Sequence, residues 1–176
     1  MVVNQVIDIH AHILVPGVMG SCGAAGPEMG FRDNGNEFFR AGDYVLENVK
    51  FNNSPFSVPQ KRVEKMALLG IDLQLVSPNP ITYFYHQPAR SSIEFNKKHN
   101  DEVAAICRDH IQLIGAAALP LQDPKAACEE LHRAVKSLSM VCSYIGTDVN
   151  GVALSDPRFE ELWSEHERLD IPVVIH

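Results

Sequence analysis

Val6-Ile7-Asp8-Ile9-His10-Ala11-His12, near the N-terminus, is the stretch on which the fold turns. Its apolar residues predict a buried strand ending in two histidines one residue apart. Alternate residues of a strand leave the same face, so His10 and His12 project together. Two imidazoles aimed at one point can share a metal ion. Asp8 has the same parity, which fits either support of the site from the inner face or a satisfied buried carboxylate. The last six residues, Ile171-Pro172-Val173-Val174-Ile175-His176, repeat the pattern: an apolar strand tipped by a histidine.

Between these ends, element types alternate. Residues 13–59 form a long stretch rich in Gly, Asn, Ser and Pro, with Phe38, Phe39, Tyr44, Val45 and Leu46 as apolar anchors for a short hairpin. A loop of that length is usually functional. A helix is predicted from Ser57 to Leu69, with Pro59 in its first turn and Gly70 at its C-terminus. Residues 71–76 read as a strand ended by Ser77-Pro78-Asn79-Pro80. An aromatic loop at Tyr83-Phe84-Tyr85-His86 follows, suited to walling a planar substrate or anchoring the core. Then come a helix over 89–110 and a strand over 111–118. Asp123-Pro124 and Asp156-Pro157 each pair an N-cap acid with a proline, and so predict two further helices. Strands at 141–145 and 171–176 alternate with them, and residues 146–151 read as a polar turn.

Short apolar strands alternating with amphipathic helices predict a parallel sheet covered by helices. Two architectures fit: an open doubly wound sheet, or about five β/α units forming the N-terminal portion of a (β/α)8 barrel. In both, chemistry sits at the C-terminal ends of the strands. The absence of a glycine-rich dinucleotide fingerprint and of a P-loop favours the barrel with a metal site. His10, His12 and His176 are the candidate ligands. His99, His110, His132 and His166 fall on or beside helices and are assigned to the surface or to helix packing. His86 and Arg40 lie in loops from which a substrate is reachable. A guanidinium such as that of Arg40 can pair with a carboxylate in bidentate fashion.

The chain has 176 residues and a net charge of −7. One domain over residues 1–176 is expected. The acidic balance argues against nucleic-acid and acidic-membrane partners. No apolar run approaches the roughly 18 residues of a membrane span, and no secretory signal is evident. Cys22, Cys107, Cys128 and Cys142 form no C-x-x-C pair, which predicts free thiols and a cytoplasmic location.

Several motifs resemble the amidohydrolase-related metal-dependent decarboxylases, in particular the aminocarboxymuconate semialdehyde decarboxylase group. They are Ile7-Asp8-Ile9-His10-Ala11-His12, Met66-Ala67-Leu68-Leu69-Gly70-Ile71-Asp72, Ala118-Leu119-Pro120-Leu121-Gln122-Asp123-Pro124, Ile145-Gly146-Thr147-Asp148-Val149-Asn150-Gly151 and Pro172-Val173-Val174-Ile175-His176. The resemblance implies a metal-dependent hydrolase-type (β/α)8 TIM barrel truncated here after strand five. It implies a divalent metal, usually zinc, with His10 and His12 as the paired ligands and His176 as the ligand on strand five. Arg40 matches the group that recognises a substrate carboxylate. The family's acid/base histidine and a further aspartate ligand match no position up to His176, so the catalytic residue is expected beyond it. The implied activity is non-oxidative decarboxylation of an unsaturated or aromatic carboxylic acid by a protein that is a homodimer when intact. Hydrolysis or hydration within the same superfamily, and a non-catalytic barrel portion, are the alternatives.

Overall fold

The computed structural model describes residues 5–176. Five parallel strands form the main sheet: β1 (Ile7–Ile13), β5 (Leu73–Pro78), β6 (Leu113–Ala117), β7 (Cys142–Ile145) and β10 (Val173–Ile175), side by side in that order. The order follows the chain without reversal. A doubly wound sheet reverses at its switch point, so the sequential order selects the barrel-type winding. The helices α1 (Pro59–Leu69), α2 (Ala89–Asp109), α3 (Pro124–Leu138) and α4 (Glu160–Leu169) are the crossovers.

Local chemistry accounts for the helix ends. The Asp123 carboxylate accepts from the Ala126 N–H at the start of α3, and the Asp156 carboxylate accepts from Arg158 N–H. Asp156 opens a 3-10 turn, Pro157–Phe159, and α4 begins only after it. Gly70 ends α1 in the left-handed region at φ 70°, where a Cβ would be strained.

Residues 28–47 hold more structure than one hairpin. β2 (Glu28–Phe31), β3 (Glu37–Ala41) and β4 (Tyr44–Glu47) make a three-stranded antiparallel sheet. Phe39 on the central strand is fully buried and anchors it. The segment 146–151 is likewise not a simple turn, because β8 (Asp148–Val149) pairs with β9 (Val152–Ala153).

Two expectations about strands are corrected. β1 is an edge strand rather than a buried one, and Ile7 and Ile9 are 50% and 70% exposed. β5 does not stop before Ser77 but runs through Pro78, which sits opposite Ile13.

Most of the core lies between the sheet and the helices, around Phe95, Leu121, Leu131, Phe159 and Leu162. A smaller cluster of Leu75, Ala116, Cys142 and Tyr144 lines the opposite, concave side. The four cysteines are free, as expected. His99 and His166 pack helices from buried positions, whereas His132 is exposed. The His166 imidazole bonds Ser143 Oγ at 2.8 Å and the Leu162 carbonyl at 2.8 Å.

His99 is 2% exposed, and its Nδ1 has no partner. Burial pushes its pKa down to about 4, against a smaller upward pull from Asn100. In the unfolded chain the imidazole titrates near 6.5. The depressed folded value means that stability is full above about pH 6.5 and declines as the pH falls toward 4. About 2 kcal/mol is expected to be lost between pH 7 and pH 5 from this residue, and buried His166 and half-buried His12, also shifted down, add in the same direction. Urea melts at the two pH values should show the loss, and His99→Leu should flatten it.

Candidate metal centre

β1 and β10 occupy opposite edges of the five-stranded sheet. Flat, those edges would stand about 19 Å apart at the usual strand spacing. Yet His12 Nε2 lies 3.2 Å from His176 Nε2 and 3.3 Å from His10 Nε2. The sheet is therefore curled into a half-barrel, with the three histidines meeting on its concave side. Their available ligand atoms all lie within 4.8 Å of one another. Two nitrogens held about 2.0–2.1 Å from one ion at the tetrahedral angle stand about 3.3–3.4 Å apart. The observed separations are those of ligand nitrogens around a shared cation.

Second contacts set the chemistry of the ring atoms. His12 Nδ1 lies 3.1 Å from the Pro78 carbonyl and 3.0 Å from Ser77 Oγ. A carbonyl can only accept, so Nδ1 carries the proton and Nε2 presents its lone pair inward. Burial, then the charges of His176 and His10, hold His12 below the usual imidazole range. Neutral imidazole is the metal-binding form. Tyr144 forms the floor, with its ring centroid 6.1, 5.7 and 5.6 Å from those of His10, His12 and His176.

Asp8 is not on the inner face. The register slips along β1: Asp8 pairs with Gln74 and Ala11 with Val76, so β1 carries one extra residue. This bulge reverses the parity between Asp8 and the histidines. Asp8 instead faces the α1 side, where Gln74 Nε2 donates to it at 2.7 Å.

Arg40 on β3 is held by Glu28 at 2.8 Å, and its Nη1 donates to the carbonyls of Ala24 and Gly42. His86 is exposed, beside Phe84. The aromatic loop anchors the core through buried Phe84 and Tyr85, while half-buried Tyr83 packs against the cluster that holds Tyr144. The Tyr83 and Tyr85 rings stack at 5.3 Å, and the Tyr85 hydroxyl accepts from Gly146 N–H just after β7. A Cβ at Gly146 would stand 3.1 Å from the Tyr85 ring and 3.3 Å from that of Tyr83, so a larger residue would require both rings to shift by a few tenths of an ångström. Sequence reasoning missed Ser77, Pro78 and Tyr144. A lone tyrosine amid the apolar residues of β7 was the one local signal for the floor.

A parallel half-barrel with three histidines converging from β1 and the end of β10, able to hold a metal ion, has the architecture of the metal-dependent hydrolase type. The chain belongs to the amidohydrolase family, whose profile matches residues 7–176. It is 31% identical over 149 residues to a gamma-resorcylate decarboxylase from Rhizobium sp. (strain MTP-10005), covering 78% of this chain and 43% of the relative. It is 28% identical over 119 residues to the 2-amino-3-carboxymuconate-6-semialdehyde decarboxylase of Dictyostelium discoideum, covering 67% of this chain and 33% of the relative. A dihydroxybenzoic acid decarboxylase from Polaromonas sp., solved with manganese and 2-nitroresorcinol, shares the fold. Its TM-score is 0.75 at 20% identity, over 98% of this chain and 49% of that one. The chain thus spans less than half the length of each of these proteins.

Proposed function

We propose that this chain supplies the histidine portion of the metal centre in a non-oxidative decarboxylase acting on an aromatic or unsaturated carboxylic acid. The observation that carries the reading is the convergence of three Nε2 atoms from opposite sheet edges, 3.2 and 3.3 Å apart. Decarboxylation is favoured over hydrolysis or hydration because both named relatives are decarboxylases. His10, His12 and His176 would hold a divalent ion. Three imidazoles suit zinc, which we propose as the resident metal, with the manganese of the Polaromonas protein as its rival. When bound, the ion supplies a positive charge that orients and polarises the acid.

The protein's own groups do the rest. Tyr144 closes the floor, and the stacked Tyr83 and Tyr85 offer a planar wall beside it. The carbon that loses carbon dioxide must gain a proton. The three histidines are committed to the metal, so a separate donor completes the site. Arg40 enters this reading as the group for the substrate carboxylate, which would take the place that Glu28 holds. A single domain over residues 1–176, in an intact protein that is homodimeric and cytoplasmic, completes the proposal. The buried free cysteines agree with a reducing compartment.

Carbon dioxide release from a panel of hydroxybenzoates, with and without added zinc or manganese, tests the activity of the intact protein. Metal-dependent release supports it. Ring opening or water addition without carbon dioxide would overturn it in favour of a hydrolase or hydratase. Release by this chain alone would rule out the reading of it as a non-catalytic barrel portion.

A further inference from the structure

The bulge in β1 leaves the His10 N–H without a ladder partner, and the Asp8 carboxylate takes that role. Asp8 Oδ1 accepts from His10 N–H at 3.0 Å. Its other oxygen accepts from Gln74 Nε2 at 2.7 Å, and Gln74 Oε1 accepts from Arg62 Nη1 at 2.8 Å. Arg62 then returns to the same segment, donating from Nη2 to the His12 carbonyl at 2.7 Å. The loop of bonds thus begins at the backbone of one candidate ligand and ends at the backbone of the other. Its members come from β1, β5 and α1. Arg62 and Gln74 are each 7% exposed. The guanidinium bonds two neutral acceptors, and the Asp8 carboxylate is the charge that balances it. A buried cation bonded only to neutral acceptors is costly as mere scaffolding.

We infer that Asp8, Gln74 and Arg62 are positioning residues that hold the β1 bulge and so turn His10 and His12 toward the common point of the metal centre. The bulge is required for this division of faces. Without it, Asp8 would share the inner face with the histidines. With it, the carboxylate stays on the α1 side and acts through the backbone. Bulges re-aim side chains in this way beside functional sites, and outer-shell partners of metal ligands typically change affinity 10–100-fold. The inference rests on the proposed metal centre for its purpose, and its geometry is testable without metal.

Two measurements on the full chain decide it. The first is amide exchange by NMR in the metal-free protein. Arg62→Met, although Arg62 does not touch His10, is expected to speed exchange of the His10 amide about tenfold or more while leaving the Val103 amide in α2 unchanged. Unaltered His10 exchange would overturn the relay. The second is zinc affinity by chelator competition in a double-mutant cycle. Asp8→Ala should weaken binding by at least about tenfold in the wild-type background and cause a clearly smaller loss in His10→Ala, where only His12 is left to position. Equal losses in both backgrounds would mean a general structural role and would overturn the inference. If wild type and His10→Ala bind zinc alike, the metal-centre reading fails, and the exchange measurement still decides the relay.

Discussion

Glu130→Ala is expected to destabilise the chain by about 1–3 kcal/mol, the cost of leaving a buried hydrogen-bonding group without its partner. Glu130 on α3 is 1% exposed, and Arg133 one turn later bonds both of its oxygens at 2.8 Å. Asn100 on α2 donates to it at 2.7 Å and to the Ala118 carbonyl at 2.9 Å, while its own carbonyl accepts from the Ala118 N–H. The cluster therefore joins two helices to the chain leaving β6. Alanine leaves the buried Asn100 amide short of a partner, while Arg133, 31% exposed, keeps Asp101 and the Lys97 carbonyl. Unsatisfied buried groups carry the full desolvation penalty. In a domain of this size the loss should appear as a fall in melting temperature of about 2–12 °C. Glu130→Gln keeps the shape and one acceptor, so it should cost distinctly less. Equal melting of wild type and Glu130→Ala would show that the network contributes nothing to stability.

His12→Ala is expected to abolish the metal retention that the chain has. His12 is the central member of the cluster, with Nε2 3.3 Å from His10 and 3.2 Å from His176. It is also the ligand whose tautomer is set by its neighbours, through Nδ1 to the Pro78 carbonyl. Removing it leaves two nitrogens, and affinity falls steeply with ligand count. The loss should exceed the 10–100-fold that outer-shell changes produce. Elemental analysis after chelator dialysis, on wild type, His12→Ala and His176→Ala, gives the comparison. Three histidines without a carboxylate make retention weak even in wild type, so an affinity series is more informative than a single stoichiometry. One tightly held ion per chain in all three proteins would refute the ligand assignment. Because neutral imidazole is the binding form, affinity should rise as the pH is raised through the histidine range.

The sequence alone determined the alternation of strands and helices, because capping and periodicity act within a few residues. Asp123-Pro124 starts its helix, and Gly70 ends one, where local rules place them. It also placed His10, His12 and His176 at strand tips, since strand parity and chain order need no tertiary information. Only the tertiary structure decided that the sheet curls, which brings the edges together and turns three tip histidines into one site. It decided the face of Asp8 as well, because a bulge depends on the register with β5 and not on β1 alone. The same holds for the partners of Arg62, the Glu28 pairing of Arg40, and the floor at Tyr144. Each of these contacts joins side chains from different elements, and local hydrophobic patterning carries no record of which polar group will meet which.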